Sequence, residues 1–349
     1  MTIVLRVSRM RPEREKIRAA AEIIRRGGLA AFPTETVYGL GANALDEKAV
    51  LKIFKAKRRP ADNPLIVHIA RADDISLLTS SVPKNAEKLM KKFWPGPLTI
   101  LMPKSEMVPD VTTAGLATVA VRMPSHPVAK AFILEADVPI AAPSANMAGR
   151  PSPTTAKHVL DDLSGRIDAV IDGGKVGFGV ESTVLDLSRG VPTVLRPGPV
   201  TLEDLEKILP GVETHPVAKA GASTEAAVAL APGMKYRHYA PAAEVILVEG
   251  PEEKIVGKIR ELAEKLRRDG KKVGILATKE TANRYDAGIV EVVGTRENPK
   301  TIAKNLFMTL RDFDEKGVEK VLAEGIEPAG IGLAIMNRLR KAASSSVRA

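Results

Sequence analysis

The sequence predicts an α/β protein of two domains: a twisted open α/β sheet over residues 1–210, a linker over 211–243, and a smaller Rossmann-like parallel-sheet domain over 244–349. Three observations carry this. Short apolar runs closed by Gly or Pro alternate with stretches whose apolar residues fall at helical spacing. From Val245 onward that alternation is strict, the rhythm of a doubly wound parallel sheet. Between the two, residues 211–243 change to Ala, Pro, Gly, Ser and Thr without periodicity, which reads as a linker.

The chain opens with the apolar run Ile3-Val4-Leu5, and a helix is predicted over 12–26 with Ile17, Ala20, Ala21 and Ile24 as its inner stripe. Gly27-Gly28 stops that helix and is not a phosphate loop. Residues 29–32 form a buried strand closed by Pro33, with the polar Thr34-Glu35-Thr36 at its end, where open α/β sheets place ligands. Asp46 caps a helix with Val50, Ile53 and Phe54 at helical spacing, and this helix stops near Pro60, delivering Lys57, Arg58 and Arg59 in one turn. These cations complement the helix dipole or serve a site, and both readings stand at this point. A strand over 65–69 carries His68 inside an apolar run, where a lone histidine is either a satisfied core residue or a ligand contact.

Helices over 75–78 and 85–93 follow, then the rigid turn Trp94-Pro95-Gly96-Pro97 and a strand over 98–102. The strand over 118–124 brings Arg122 toward its end. A buried arginine demands an anionic partner, either a substrate carboxylate or a neighbouring Asp or Glu. From Pro139 a strand runs into Ser144 and Asn146, and Thr154 or Thr155 caps a helix through Leu163. Small polar residues and free N–H groups at a strand end and helix start suit an anionic phosphate. A strand over 168–172 leads into the glycine-spaced loop 173–183, followed by strands over 184–187 and 193–196 and a helix over 201–209. Neither the P-loop pattern nor Gly-x-Gly-x-x-Gly occurs. In the linker, Lys235-Tyr236-Arg237-His238-Tyr239 concentrates aromatics and cations. It could lie over a nucleotide or merely anchor the linker to a domain surface. Strands over 245–248, 273–277, 289–293 and 320–323, with helices over 252–268, 301–313 and 333–343, make the second domain, and 344–349 reads as a frayed tail.

A hydrophobic share of 44% and a charged share of 27% are those of a soluble globular chain, and 349 residues suffice for two cores. With no cysteine, disulfides, thiolate zinc sites and cysteine nucleophiles are excluded. No apolar run approaches bilayer length and Met1 to Arg6 does not read as a signal peptide, so a cytoplasmic location is expected. The net charge of +10 favours polyanionic partners such as nucleotides or RNA.

The combination of Pro33-Thr-Glu-Thr-Val-Tyr-Gly-Leu40, Lys57-x-Arg59, Asn63-Pro-Leu65, Pro95-Gly-Pro-Leu-Thr99, Arg122-x-Pro124, Ser144-x-Asn146 and Glu181-Ser-Thr-Val184 resembles the YrdC-like family of threonylcarbamoyl-adenylate synthases. The resemblance covers roughly residues 10–210, and the linker and second domain look like the long, two-domain form of that family. It implies a YrdC-like fold for the first domain and nucleotidyltransfer: L-threonine, bicarbonate and ATP give threonylcarbamoyl-adenylate and pyrophosphate, and a downstream enzyme passes the threonylcarbamoyl group to tRNA next to the anticodon. Carried over residue by residue, it places Thr36, His68, Arg122, Ala142 and Ser182 on L-threonine. ATP would meet Lys57, Arg59, Asn63, Thr118, Ser144, Asn146, Ser152, Arg196, Tyr236 and Arg237, with Lys57 and Arg59 catalytic through charge. Mg²⁺ would arrive on the triphosphate, since no carboxylate cage is visible and no protein metal site is expected. The linker would reach over the active site. Two rivals stand beside this reading. A non-catalytic RNA-binding module would bind with a steep salt dependence and ignore threonine. A carbamoyltransfer domain of the hydrogenase-maturation type is disfavoured by the missing cysteines.

Overall fold

The computed structural model describes residues 1–220, 230–231 and 238–349; Tyr236 and Arg237 lie outside the described residues. The chain forms two compact units. The first holds Met1–Ala148 and Ser152–Ala218, with Leu230 and Ala231, and the second holds Gly149–Pro151 and residues 238–349.

The first unit is built on an eleven-stranded mixed sheet. Its first strands are β1 (Ile3–Arg6), β2 (Ala30–Pro33), β3 (Tyr38–Asn43), β4 (Ile66–His68), β5 (Leu98–Pro103) and β6 (Thr118–Arg122). The remainder are β7 (Ile140–Ala141), β8 (Ala169–Asp172), β9 (Thr183–Asp186), β10 (Thr193–Arg196) and β11 (Glu213–Thr214). The spatial order is β1-β8-β2-β3-β7-β4-β6-β5-β9-β10-β11. Helices α1 (Arg14–Arg25), α2 (Glu47–Lys57), α3 (Ile75–Leu78), α4 (Lys84–Phe93) and α5 (Asp110–Thr113) precede α6 (Pro127–Ala136), α7 (Ala156–Leu163), α8 (Leu202–Glu206) and α9 (Pro216–Ala220). The even face of β2 meets α1 and α6 through Phe32, Ile17, Ile24, Val128 and Phe132. The opposite face carries Leu40, Val67 and Val121 against Val50 and Ile53 of α2 and Val159 of α7. Further along the sheet Ile66, Ala120 and Val184 share a cluster with Leu195 and the buried Ala231.

The Asp46 cap is as read from sequence: its carboxylate accepts from Ala49 N–H at 3.2 Å. Strand β3 was not legible, because Tyr-Gly-Leu-Gly-Ala-Asn looks like a breaker-rich loop. Gly41 is there for packing, since a Cβ at that position would stand 2.8 Å from the Ile140 Cγ2. Part of the expected linker is structured too, with β11 parallel to β10 and α9 after it. Helix α8 stops at Glu206, shorter than the expected span, held at its start by a reciprocal Thr201–Asp204 capping box.

The second unit carries β12 (Glu244–Glu249), β13 (Val273–Thr278), β14 (Ile289–Gly294), β15 (Lys320–Glu324) and β16 (Ser345–Arg348), with helices α10 (Glu252–Arg268), α11 (Pro299–Glu315) and α12 (Ile331–Ala342). The order is β14-β13-β15-β12-β16, and every pairing is parallel. This is the doubly wound sheet expected, with one correction. Residues 344–349 do not fray: Ser345 to Arg348 pair with Ile246 to Glu249 as an edge strand. The run Ser-Ser-Val-Arg is too short and polar to announce a strand, and the open edge of β12 supplies the missing hydrogen bonds. At the carboxyl ends of β13 and β15 the buried Glu324 carboxylate accepts from Thr278, Thr281, Tyr285 and Arg296. Burial and that carboxylate push the Tyr285 hydroxyl well above its usual range. Tyr239 is buried, stacked on Phe307 at 5.1 Å between ring centroids, with the Arg338 guanidinium 5.7 Å over its ring. For Tyr239, then, the aromatic of the linker anchors to the second unit.

Candidate active site

The carboxyl ends of β4 and β6 lie side by side, with His68 in register with Arg122. Alternation along both strands turns these two side chains to the same face as Ile66 and Ala120. Arg122 is buried, 3% exposed, and its partners come from three segments. Nε donates to Gly96 O at 3.3 Å, in the turn before β5, and Nη1 donates to Thr36 Oγ1 at 3.0 Å, in the turn between β2 and β3. Nη2 lies 2.7 Å from Glu35 Oε1. Both partners left open for this arginine are thus addressed in part: it has a neighbouring glutamate, yet Nη2 makes no aligned hydrogen bond. Gly96 suits the tight turn, because a Cβ there would stand 2.3 Å from Phe93 O.

Ser182 joins from the glycine-spaced loop at the start of β9. Its hydroxyl lies 2.8 Å from Thr99 Oγ1 and accepts from Arg196 Nη2 at 3.1 Å, while its carbonyl accepts from Arg196 Nε at 3.0 Å. His68 meets the edge of Phe32 at 6.1 Å. Its pKa is lowered to about 3, first by burial and then by the Arg122 charge, with Arg196 adding to it. The imidazole is therefore neutral at physiological pH, and its Nδ1 is buried with no hydrogen-bond partner. Ala142, buried beside it, commits its N–H to Ile66 O at 2.9 Å.

A second group borders the first. Helix α2 ends at Lys57, after which Arg58 adopts a left-handed conformation (φ 51°). The Lys57 ammonium is buried and donates to Ser144 O and Asn146 O, each at 2.5 Å. Arg59 Nη2 donates to Asn63 O at 3.2 Å and Pro64 O at 3.3 Å, curling the segment so that the Asn63 side chain is fully buried. Both amide atoms of Asn63 lack hydrogen-bond partners. Ser144 bridges to Gly39, and Ser152 Oγ donates to Glu181 Oε1 at 2.5 Å.

The structure thus brings Thr36, His68, Arg122, Ser182 and Arg196 together, and ties Lys57 to Ser144 and Asn146. Thr118 is set apart at the opposite end of β6, four residues from Arg122 on the same face, roughly 13 Å at strand rise. Two polar residues were not singled out as site residues from sequence. Glu35 sat inside the Pro33-to-Leu40 motif and Thr99 inside the Pro95-to-Thr99 motif, each without a role. Among the described residues no group of three or more His, Cys, Asp or Glu is placed to hold a metal ion, and no helix is long and apolar enough to cross a membrane.

Buried donors and acceptors without hydrogen-bond partners are rare in folded proteins, and His68 Nδ1, at the end of β4 beside Arg122, and the Asn63 amide are among those here. That arrangement defines an α/β protein that binds a small polar ligand. The chain belongs to the Sua5–YciO–YrdC family: residues 22–198 match the family model described as "Telomere recombination", and residues 200–344 match the model "Threonylcarbamoyl-AMP synthase, C-terminal domain". It is 56% identical to the threonylcarbamoyl-AMP synthase of Pyrococcus abyssi, over 98% of both chains. It is 48% identical to that of Bacillus subtilis, over 95% of this chain and 94% of the relative. Its fold superposes on the crystal structure of P. abyssi Sua5 complexed with L-threonine with a TM-score of 0.94 and 54% identity, covering 100% of each chain.

Proposed function

We infer that this chain is a threonylcarbamoyl-AMP synthase, joining L-threonine, bicarbonate and ATP into threonylcarbamoyl-AMP with release of pyrophosphate. The observation that carries this reading is a buried polar set: His68 Nδ1 and the Asn63 amide without hydrogen-bond partners, and Arg122 Nη2, which faces Glu35 Oε1 at 2.7 Å without an aligned hydrogen bond. The full-length likeness to named synthases supports it.

In this reading Arg122 takes the threonine carboxylate, with Thr36, His68, Ala142 and Ser182 around the rest of the amino acid. The threonine amine and bicarbonate combine to a carbamate with loss of water. A carbamate oxygen then attacks the α-phosphorus of ATP, and pyrophosphate leaves. The carbamate is short-lived in water, so proximity and exclusion of solvent are the main services of the site. Lys57, Arg59 and Arg196 offset charge on the departing pyrophosphate. Asn63, Thr118, Ser144, Asn146 and Ser152 hold the nucleotide. Mg²⁺ enters as part of the nucleotide substrate, consistent with its preference for phosphate and water ligands. The product passes to a separate enzyme that modifies tRNA, and the net charge of +10 supports RNA contact.

The test is pyrophosphate release from ATP with threonine and bicarbonate omitted in turn. Release is expected only when both are present. Release indifferent to threonine would overturn the reading, and salt-sensitive RNA binding without release would favour a non-catalytic module.

A further inference from the structure

Glu35 and Arg122 form a buried ion pair at the centre of the amino-acid side of the site, 7% and 3% exposed. The glutamate is held at both ends. Its Oε2 accepts from Ser125 N–H at 3.2 Å, just past the end of β6, and its main-chain carbonyl accepts from Gly177 N–H at 3.2 Å and Phe178 N–H at 2.9 Å. One residue therefore joins the turn after β2, the end of β6 and the loop that leads to Ser182. Its Oε1 stands 2.7 Å from Arg122 Nη2 without hydrogen-bond alignment, so it compensates the charge while leaving the directed N–H bonds of Nη2 without an acceptor.

The charge surroundings give that geometry a meaning. Lys57, Arg59 and Arg196 already supply cations for a polyphosphate. A bare buried guanidinium at 122 would be one more, and would draw phosphate into the amino-acid pocket. With Glu35 beside it, the pair is net neutral. A zwitterionic amino acid, also net neutral, can offer its carboxylate to Nη2, whereas a phosphate bearing several negative charges meets the Glu35 carboxylate at short range in a poorly screened site. We propose that Glu35 is the positioning and specificity residue of the amino-acid subsite, orienting Arg122 and reserving it for a carboxylate against phosphate. This rests on the reading that Arg122 receives the threonine carboxylate.

The test is calorimetric binding of L-threonine to the full chain with and without inorganic pyrophosphate. In the parent protein, pyrophosphate is expected to leave threonine affinity unchanged within twofold. In Glu35→Gln, which keeps the shape and removes the charge, the same pyrophosphate is expected to weaken threonine binding by about tenfold or more. Glu35→Asp, which restores the charge at shorter reach, should recover most of the discrimination. A merely structural role would shift the melting temperature and both ligands alike, without creating this competition. Competition already present in the parent, or absent in a folded Glu35→Gln, overturns the proposal. If Glu35→Gln does not fold, the parent and Glu35→Asp decide: competition in the parent, or a Glu35→Asp that competes as strongly as an uncharged site would, rejects it. The underlying reading fails differently, through a parent that does not bind threonine or an Arg122→Ala variant that binds it undiminished.

Discussion

The Lys57 ammonium donates to the Ser144 carbonyl at 2.5 Å across 87 positions of sequence, and to the Asn146 carbonyl at the same distance. The end of α2 is thereby fastened to the loop that the proposed function gives to the nucleotide.

Lys57→Met keeps most of the side-chain volume and withdraws the donor from both carbonyls. Leaving such groups unpaired costs roughly 2–4 kcal/mol in all. The expected outcome is a lower melting temperature together with a loss of pyrophosphate release, since the loop loses its anchor. Circular dichroism melts and the release assay check this. A variant as stable as the parent would place the lysine in a purely electrostatic role.

Arg122→Ala removes one half of a buried pair and strands the Glu35 carboxylate. Such a break costs about 3–5 kcal/mol. In enzyme that remains folded, the threonine requirement should rise far more than the ATP requirement. Steady-state titration of each substrate reads this directly, and equal effects on both would mean that the arginine serves another partner.

His68 sets a pH dependence. Its folded pKa of about 3 lies below the unfolded value of 6.5, so between those limits the unfolded chain binds a proton that the folded chain refuses. Stability therefore falls as pH drops through that window, by roughly 1.4 kcal/mol per pH unit once well below 6.5. His126, lowered to about 4 mainly by burial, adds a slope of the same sign. Urea unfolding at pH 7.5, 6 and 5 should show a shallower decline in His68→Gln than in the parent, because His126 is common to both. Parallel declines would contradict a buried neutral imidazole at position 68.

Removing residues 344–349 deletes β16 and bares the edge of β12. The truncated chain is expected to unfold earlier in its second unit and to aggregate more readily, as an exposed parallel edge invites pairing. Differential scanning calorimetry and light scattering measure both. A truncation without effect would return this segment to the frayed tail that its sequence suggested.

Much of the fold was written locally. Asp46 before an apolar stripe announced α2, and the strict alternation after Val245 announced the parallel sheet. What escaped depended on partners far away in the chain. Gly41 looks like a breaker until Ile140 and Phe32 are seen to crowd the space a Cβ would take in β3. The tail is a strand only because β12 has an edge to fill. At the site, the motifs named Thr36, His68, Arg122 and Ser182, and the structure brings them onto neighbouring segments. The tie from Lys57 to two distant carbonyls, the Glu35–Arg122 pair and the Thr99–Ser182 contact left no periodic trace that spacing could report.

Asn63 and His68 shed their hydration when the chain folds, before any ligand arrives. An incoming molecule then has only its own water to lose, and part of the free energy of capture is drawn in advance from the stability of the fold. Heat resistance and recognition thus compete inside one molecule: substitutions that satisfied those atoms internally would harden the protein and deafen its pocket.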